Sequence, residues 1–275
     1  MTTHAELILV LGGTGKTGRR LVRALRGSGR PVRAASRSGE VRFDWSDQST
    51  WPAALAGASA VYLVAPEDPA LAELFVKQAT GAGVGRFVAL SGRGIGQVPA
   101  DAFPGMVAAE RAVRDSGAQW SIIRANNFNQ NFDEDLWRDP LRAGRLALPM
   151  GPVPEPFVDV QDVADVAAVL LTSDGHHGRV YDLSGPRSLT FAEAVATIAR
   201  AAGRPIEYVE LTPEEYRVEL RSAGWPAEAV AGLDLMFAGM RAGHLAEPAD
   251  GVRRVLGREP IDFETYADRA AAAWR

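Results

Sequence analysis

From residue 6 to about residue 186 the chain alternates between two hydrophobic rhythms. Short, nearly unbroken apolar runs at 6–11, 31–36, 41–43, 60–65, 85–90, 119–123 and 179–183 are rich in Val, Leu, Ile and Ala. Runs of that length and type read as strands covered on both faces, as in a parallel sheet. Amphipathic stretches with a helical period lie between them. The clearest is 162–172, where Val163, Val166, Ala167, Leu170 and Leu171 form one stripe and Gly175 ends it. Regular alternation of this kind predicts a doubly wound α/β core.

After residue 186 the alternation stops and the chain reads as helices joined by turns. Thr190 with Glu193, and Thr212-Pro213 with Glu215, have the spacing of capping boxes, so helices are expected to begin there. The segment 127–155, asparagine-rich and aromatic at its start, leaves the core between two strands. The predicted organisation is a core over 1–126, completed by 156–186, with 127–155 and 187–275 forming a smaller, mainly helical lobe.

The first strand runs into "LGGTGKTGRRLVRAL", where Gly15-Lys16-Thr17 could close a nucleoside-triphosphate loop. That motif requires a glycine five residues before Gly15. Val10 stands there, inside the strand. The spacing G-x-x-G-x-x-G over Gly12, Gly15 and Gly18 instead fits a dinucleotide-binding turn. Gly12 would turn off the strand, Gly15 admit a pyrophosphate, and Gly18 let the helix pack close to the sheet. Leu21, Val22 and Leu25 supply that helix with an apolar stripe.

The end of the second strand, "RAASRSG", carries Ser36, Arg37 and Ser38 where NAD-binding folds place a ribose-gripping acid. A guanidinium flanked by hydroxyls suits a 2′-phosphate, so Arg37 points to NADP(H); Arg33 falls on the strand itself. Asp44, in "FDW", stands either beside the adenine or as a helix cap.

Composition narrows the classes. Hydrophobic content is 47%, charged content 23% and net charge −4, with no cysteine. Nothing there favours nucleic acid or an anionic membrane, and thiolate chemistry is excluded. "MTTHAELILVLGG" lacks a basic leader, and no apolar run approaches a membrane span, so a cytoplasmic protein is expected. His176-His177 has no evident third ligand, and no metal site is predicted.

"GGTGKTG", "ALSG", "WSIIRANNFNQNF", "PFVDVQDVADVA", "YDLSGPRSLTFAEA" and "LGREPIDFETYA" together resemble the NmrA-like branch of the atypical short-chain dehydrogenase/reductases. The resemblance spans nearly the whole chain and implies a Rossmann core with a substrate lobe. That branch holds quinone oxidoreductases, triphenylmethane-dye reductases, ergot-alkaloid iminium reductases and cofactor-sensing regulators. It implies that Gly12, Thr14, Gly15, Lys16, Thr17, Gly18, Arg37, Asp44, Ala65, Pro66 and Ser91 line the dinucleotide groove. Asn127, Phe128 and Asn131 would begin the substrate pocket. Ser91 falls where the wider superfamily keeps a catalytic serine; a turn serine is the plain alternative. Phe132, Trp137, Trp225, Met236, Phe237 and Met240 read as core, and Asp159 and Asp162 as a turn and helix cap.

One part of the superfamily's machinery is missing. Ordinary short-chain reductases protonate the product with a Tyr-x-x-x-Lys pair. None of Tyr62, Tyr181, Tyr208, Tyr216 and Tyr266 has lysine four residues on, and the aligned positions on the helix 104–116 are Met106 and Glu110. The expected activity is therefore hydride transfer from NADPH to a small aromatic or electron-poor acceptor, quinone or iminium in type, needing no strong protein acid. The alternative is a non-catalytic NADP(H)-binding sensor. Glu110 is expected to be structural. The oligomeric state, monomer or homodimer, is left open.

Overall fold

The computed structural model describes residues 6–97 and 102–275; the first five residues of the amino-terminal segment read above lie outside it. In chain order the elements begin with β1 (Leu7–Leu11), α1 (Lys16–Gly27), β2 (Val32–Ser36), β3 (Val41–Arg42), α2 (Trp51–Leu55), β4 (Ala58–Val64), α3 (Pro69–Gly81) and β5 (Arg86–Gly92). They continue with α4 (Pro104–Asp115), β6 (Gln119–Ala125), α5 (Arg138–Ala143), β7 (Arg145–Leu148), α6 (Val160–Thr172) and β8 (Arg179–Leu183). The remainder is α7 (Phe191–Ala202), β9 (Glu207–Glu210), α8 (Pro213–Ser222), α9 (Ala227–Arg241), α10 (Gly251–Leu256) and α11 (Phe263–Ala270).

Two compact units result. The first comprises Met1–Ala125, Val160–Leu183 and Asp250–Glu259. Its seven-stranded sheet has the order β3-β2-β1-β4-β5-β6-β8, and every pairing is parallel. This is the expected Rossmann-type α/β fold. Strand order reverses between β1 and β4, the place where such sheets open a crevice at their carboxyl ends.

Period-two alternation distributes side chains to the two faces of that sheet. Leu9, Leu11, Val61, Leu63, Phe87, Ala89 and Ile122 pack into one buried cluster with Phe75 and Val76 of α3 and Ala108, Ala109 and Val113 of α4. Phe43, Trp45, Trp51 and Phe75 close its edge as an aromatic group with ring centroids 5.0 to 6.2 Å apart. Helices α1 and α6 pack against each other, as do α3 and α4. Arg33, on β2, donates to the carbonyls of Ala54 (2.8 Å) and Ala56 (2.5 Å) at the end of α2, which accounts for it structurally.

The second unit comprises Asn126–Asp159, Ser184–Ala249 and Pro260–Arg275. Phe132, Trp137, Phe157, Phe191, Phe263, Tyr266 and Trp274 form its aromatic core. The Trp274 indole Nε1 donates to the Phe132 carbonyl at 2.7 Å. Both predicted capping boxes are present, Thr190 with Glu193 on α7 and Thr212 with Glu215 on α8. Phe132, Trp137, Phe237 and Met240 are buried, whereas Trp225 is exposed.

Two expectations change. The lobe is not helices and turns alone, because β7 and β9 pair in parallel, Arg145 opposite Glu207 through Leu148 opposite Glu210. Residues 250–259 belong with the first unit rather than with the lobe, because α10 packs on α6 and β8. Arg258 beyond it bonds Asp162 at 2.6 Å and Asp165 at 2.8 Å on α6. Asp162, read as a cap, is fully buried and anchors this brace. Arg258→Ala takes that cation from a buried carboxylate and is expected to lower stability by about 2 kcal/mol in urea unfolding, with Asp162→Asn in the same background recovering part of the loss. An unchanged unfolding midpoint for the single variant would remove the brace from the account.

Candidate active site

The glycine turn sits at the strand-order reversal. Gly12 has φ +64°, a left-handed conformation that favours glycine, and a Cβ on it would meet Val64 Cγ2 of β4 at 3.7 Å. The Gly15 N–H donates to the Gly12 carbonyl at 2.8 Å, and the Gly13 N–H to the Ala35 carbonyl at 3.0 Å, which pins the loop to β2. A Cβ on Gly18 would collide with the Gly12 carbonyl oxygen and stand 2.8 Å from its carbon. The helix thus starts so close to the strand that only glycine fits, as the spacing predicted.

The start of α1 is suited to an anion. Its N-cap, Gly15, offers no side-chain acceptor, and its first turn holds no acid. First-turn amides left without a side-chain cap, together with the helix dipole, are what a pyrophosphate needs. The left-handed Gly12 and the close packing of Gly18 on it, which set the first turn of α1 directly on the end of β1, are a second feature fitting a dinucleotide. Lys16 and Thr17 open the helix, and Thr17 is buried with the Tyr62 hydroxyl facing it. Tyr62 is fully buried, and burial pushes its hydroxyl far above the ordinary tyrosine pKa. Thr14 Oγ1 donates to Ser36 Oγ at 3.0 Å, joining the turn to the tip of β2.

Arg37 and Ser38 follow, both exposed, and among the described residues no hydrogen bond or ion pair engages the Arg37 guanidinium. Asp44 resolves toward its structural alternative in part: its Oδ1 accepts from the Ser46 N–H (3.0 Å) and hydroxyl (2.7 Å). Those bonds, with Arg37 and Arg42 nearby, hold its carboxyl below the usual range. Ala65 and Pro66 leave the carboxyl end of β4, next to Val64.

On β5, Phe87, Ala89 and Ser91 share one face, the face under α4. Ser91 therefore turns its hydroxyl into the helix–sheet interface, where Oγ is inaccessible and makes no hydrogen bond of normal geometry. Placed by the resemblance in the groove, at the position of a catalytic serine, it faces the carboxylate of Glu110. Glu110 is 3% exposed and bound in a fork by Arg124 of β6, Nε to Oε1 at 2.8 Å and a terminal nitrogen to Oε2 at 2.7 Å. Arg114, one turn on, adds a bond of 2.8 Å. Burial pushes this carboxyl up, but Arg124, the Ser91 hydroxyl and Arg114 outweigh it and hold the group below its ordinary value. Glu110 is thus a buried carboxylate paired with two guanidinium groups. One turn earlier, Met106 lies over the strand end, its sulfur 3.8 Å from where a Gly92 Cβ would be.

In the second unit, Asn127 Nδ2 lies 3.4 Å from Glu155 Oε2 and 3.6 Å from Met240 Sδ. Phe128 bridges to Val158, and the Asn131 N–H donates to the Phe128 carbonyl at 3.0 Å. Glu155, 1% exposed, also accepts from Asn126 Nδ2 at 3.1 Å. Neither Glu155 nor Arg124 was singled out from sequence. A lone acid within "PVPEPF" carries no spacing signal, and Arg124 reads as the polar end of an apolar strand.

A family model described as the NmrA-like family matches residues 4–247. The chain belongs to the NmrA-like family. Among curated relatives it is similar to the NAD(P)H azoreductase of Xenophilus azovorans, 30% identical over 98% of this chain and 99% of that protein. Among solved structures it resembles the NADPH-dependent quinone oxidoreductase of Escherichia coli complexed with NADPH, with TM-score 0.78, 18% identity, and coverage of 96% and 99% of the two chains. It resembles also NmrA, a negative transcriptional regulator in complex with NAD, with TM-score 0.74, 18% identity, and coverage of 97% and 95%. The NmrA-like fold thus holds a named enzyme and a named regulator on one scaffold.

Because the folded pKa of Glu110 is depressed, its share of the stability is present above the ordinary value of 4.5 and is lost as pH falls through the folded value. Glu110→Gln is expected to cost about 2 kcal/mol near neutral pH, discounted for the partial exposure of both arginines. Urea titrations of both proteins from about pH 7 to about pH 3 should bring their midpoints together at the acid end. A constant gap across that range would contradict the ionised pair.

Proposed function

We propose that this chain is an NADPH-dependent reductase that transfers hydride to a small, flat, electron-poor acceptor of the quinone or iminium kind. The observation that carries the reading is the dinucleotide turn, formed by Gly12, Gly15 and Gly18 at the strand-order reversal. The resemblance, which aligns Met106 and the ion-paired Glu110 with the tyrosine and lysine of the usual relay, supports an acceptor that needs no strong protein acid.

Bound there, NADPH supplies a hydride from its nicotinamide C4. The residues assigned to hold it are Gly12, Thr14, Gly15, Lys16, Thr17 and Gly18 at the pyrophosphate, Arg37 at a 2′-phosphate, and Asp44, Ala65 and Pro66 along the adenosine side. Asn127, Phe128 and Asn131 are assigned to the acceptor. An iminium becomes a neutral amine when it takes hydride, and a quinone becomes a delocalised anion that water protonates. The chain's part is to orient the acceptor and exclude bulk water. The names of the azoreductase and quinone oxidoreductase relatives support acceptors of this electron-poor class. A regulator among the structural neighbours makes the non-catalytic sensor the reading to beat.

The test is oxidation of NADPH, with NADH in parallel, followed by absorbance against a panel of quinones, iminium salts and a simple ketone. Turnover of the electron-poor acceptors but not of the ketone is expected. Tight NADPH binding with no turnover by any acceptor would transfer the assignment to the sensor. In the same assay Arg37→Ala should weaken NADPH by about tenfold or more and leave NADH nearly unchanged, the worth of one charge-assisted contact to phosphate. Equal effects on both cofactors would remove Arg37 from the 2′-phosphate.

A further inference from the structure

Helix α4 is held at two points, and Met106 lies between them. At its start, Gly105 is packed so closely on the loop after β4 that a Cβ would collide with the Pro66 carbonyl oxygen. At its middle, Glu110 is gripped by Arg124 from the neighbouring strand β6 and by Arg114 from its own helix. The register sets Ser91 of β5 directly opposite Arg124 of β6, so serine, guanidinium and carboxylate share one floor, with Ser91 and Glu110 buried and Arg124 half-buried. Met106 is four residues before Glu110, on the same side of the helix, with its sulfur over Gly92 at the carboxyl end of β5. Rotation or sliding of α4 would carry this thioether off the strand end. The two anchors oppose both.

We propose that Glu110 is a positioning residue, which with Arg124 and Arg114 fixes α4 so that the Met106 thioether walls the place where nicotinamide meets a flat acceptor. The inference rests on the reading of the sheet's carboxyl edge as the cofactor site. A thioether there is polarisable and apolar and packs favourably on an aromatic plane, and it supplies no proton. The carboxylate in the lysine's aligned position thus serves geometry rather than proton transfer. A buried ion pair is a weak source of net stability, because desolvation offsets most of its attraction, but it is specific in direction. The forked Arg124 contact fixes orientation as well as distance.

The chain has five methionines, so labelling their methyl groups with carbon-13 gives a small set of resonances, with Met106 assigned by Met106→Leu. In the wild-type full chain, NADP⁺ is expected to shift the Met106 methyl. In Glu110→Gln the Met106 methyl should move in the free protein and lose its NADP⁺-induced shift, while the signals of Met150, Met236 and Met240 stay in place. Acceptor KM should rise about tenfold, a misplacement effect, with NADPH affinity retained. If Glu110→Gln does not fold, Glu110→Asp, which keeps the charge on a shorter arm, gives the same readout. A Met106 methyl that keeps both its position and its NADP⁺ response in these variants overturns the positioning role, whatever happens to thermal stability. A wild-type Met106 methyl indifferent to bound NADP⁺ overturns the wall and the placement of nicotinamide together. Loss of response in the variant, with turnover absent in the wild type, keeps the positioning role and fails only the catalytic reading.

Discussion

The constraint on which the first unit depends is the contact between Gly18 and the carbonyl of Gly12. No side chain fits between them, so α1 begins directly on the end of β1. That closeness aims the first turn of the helix across the carboxyl edge of the sheet. The same turn is tied sideways, Gly13 to Ala35 and Thr14 to Ser36, which joins the tip of β2 to the loop that starts α1. Arg37 is presented from that tied tip. Recognition of a pyrophosphate and of whatever lies beyond the ribose therefore descends from one close approach of backbone to backbone.

Much of this was legible because the sheet is parallel. Strands covered on both faces must be apolar throughout, and all seven expected core strands are found with ends shifted by two residues or fewer. Capping boxes were legible for a different reason: Thr190 with Glu193 and Thr212 with Glu215 act within one turn of helix. Strands β7 and β9 were not. "EYVE" puts a glutamate at each end, and its four residues are exposed or half-buried, so neither an apolar run nor an alternation marks it. The attachment of 250–259 was equally hidden, since Arg258 finds Asp162 across 96 positions of chain.

Ser91 teaches a narrower lesson. Its position at the end of β5 suggested a role toward ligand, yet strand parity was already available. Phe87 and Ala89 are core residues under α4, and a residue two further along shares their face. That parity sets the hydroxyl on the helix side. Glu110 was readable as structural from Arg114 four residues on, but its principal partner was not: Arg124 meets it only because β5 and β6 pair in register.

Helix α4 is held by two anchors of different kinds. Gly105 fixes the helix start by steric contact with Pro66, and Glu110 fixes its middle by a forked ion pair with Arg124. With α4 held in that way, Met106, the residue next to the first anchor and one turn before the second, has its place over Gly92 set. Methionine is a suitable occupant, since its unbranched thioether can cover Gly92 without asking for a hydrogen-bond partner at the sheet's edge. The polar demand is met below, in the floor formed by Ser91, Arg124 and Glu110, and the upper surface is left apolar where a flat acceptor is proposed to lie.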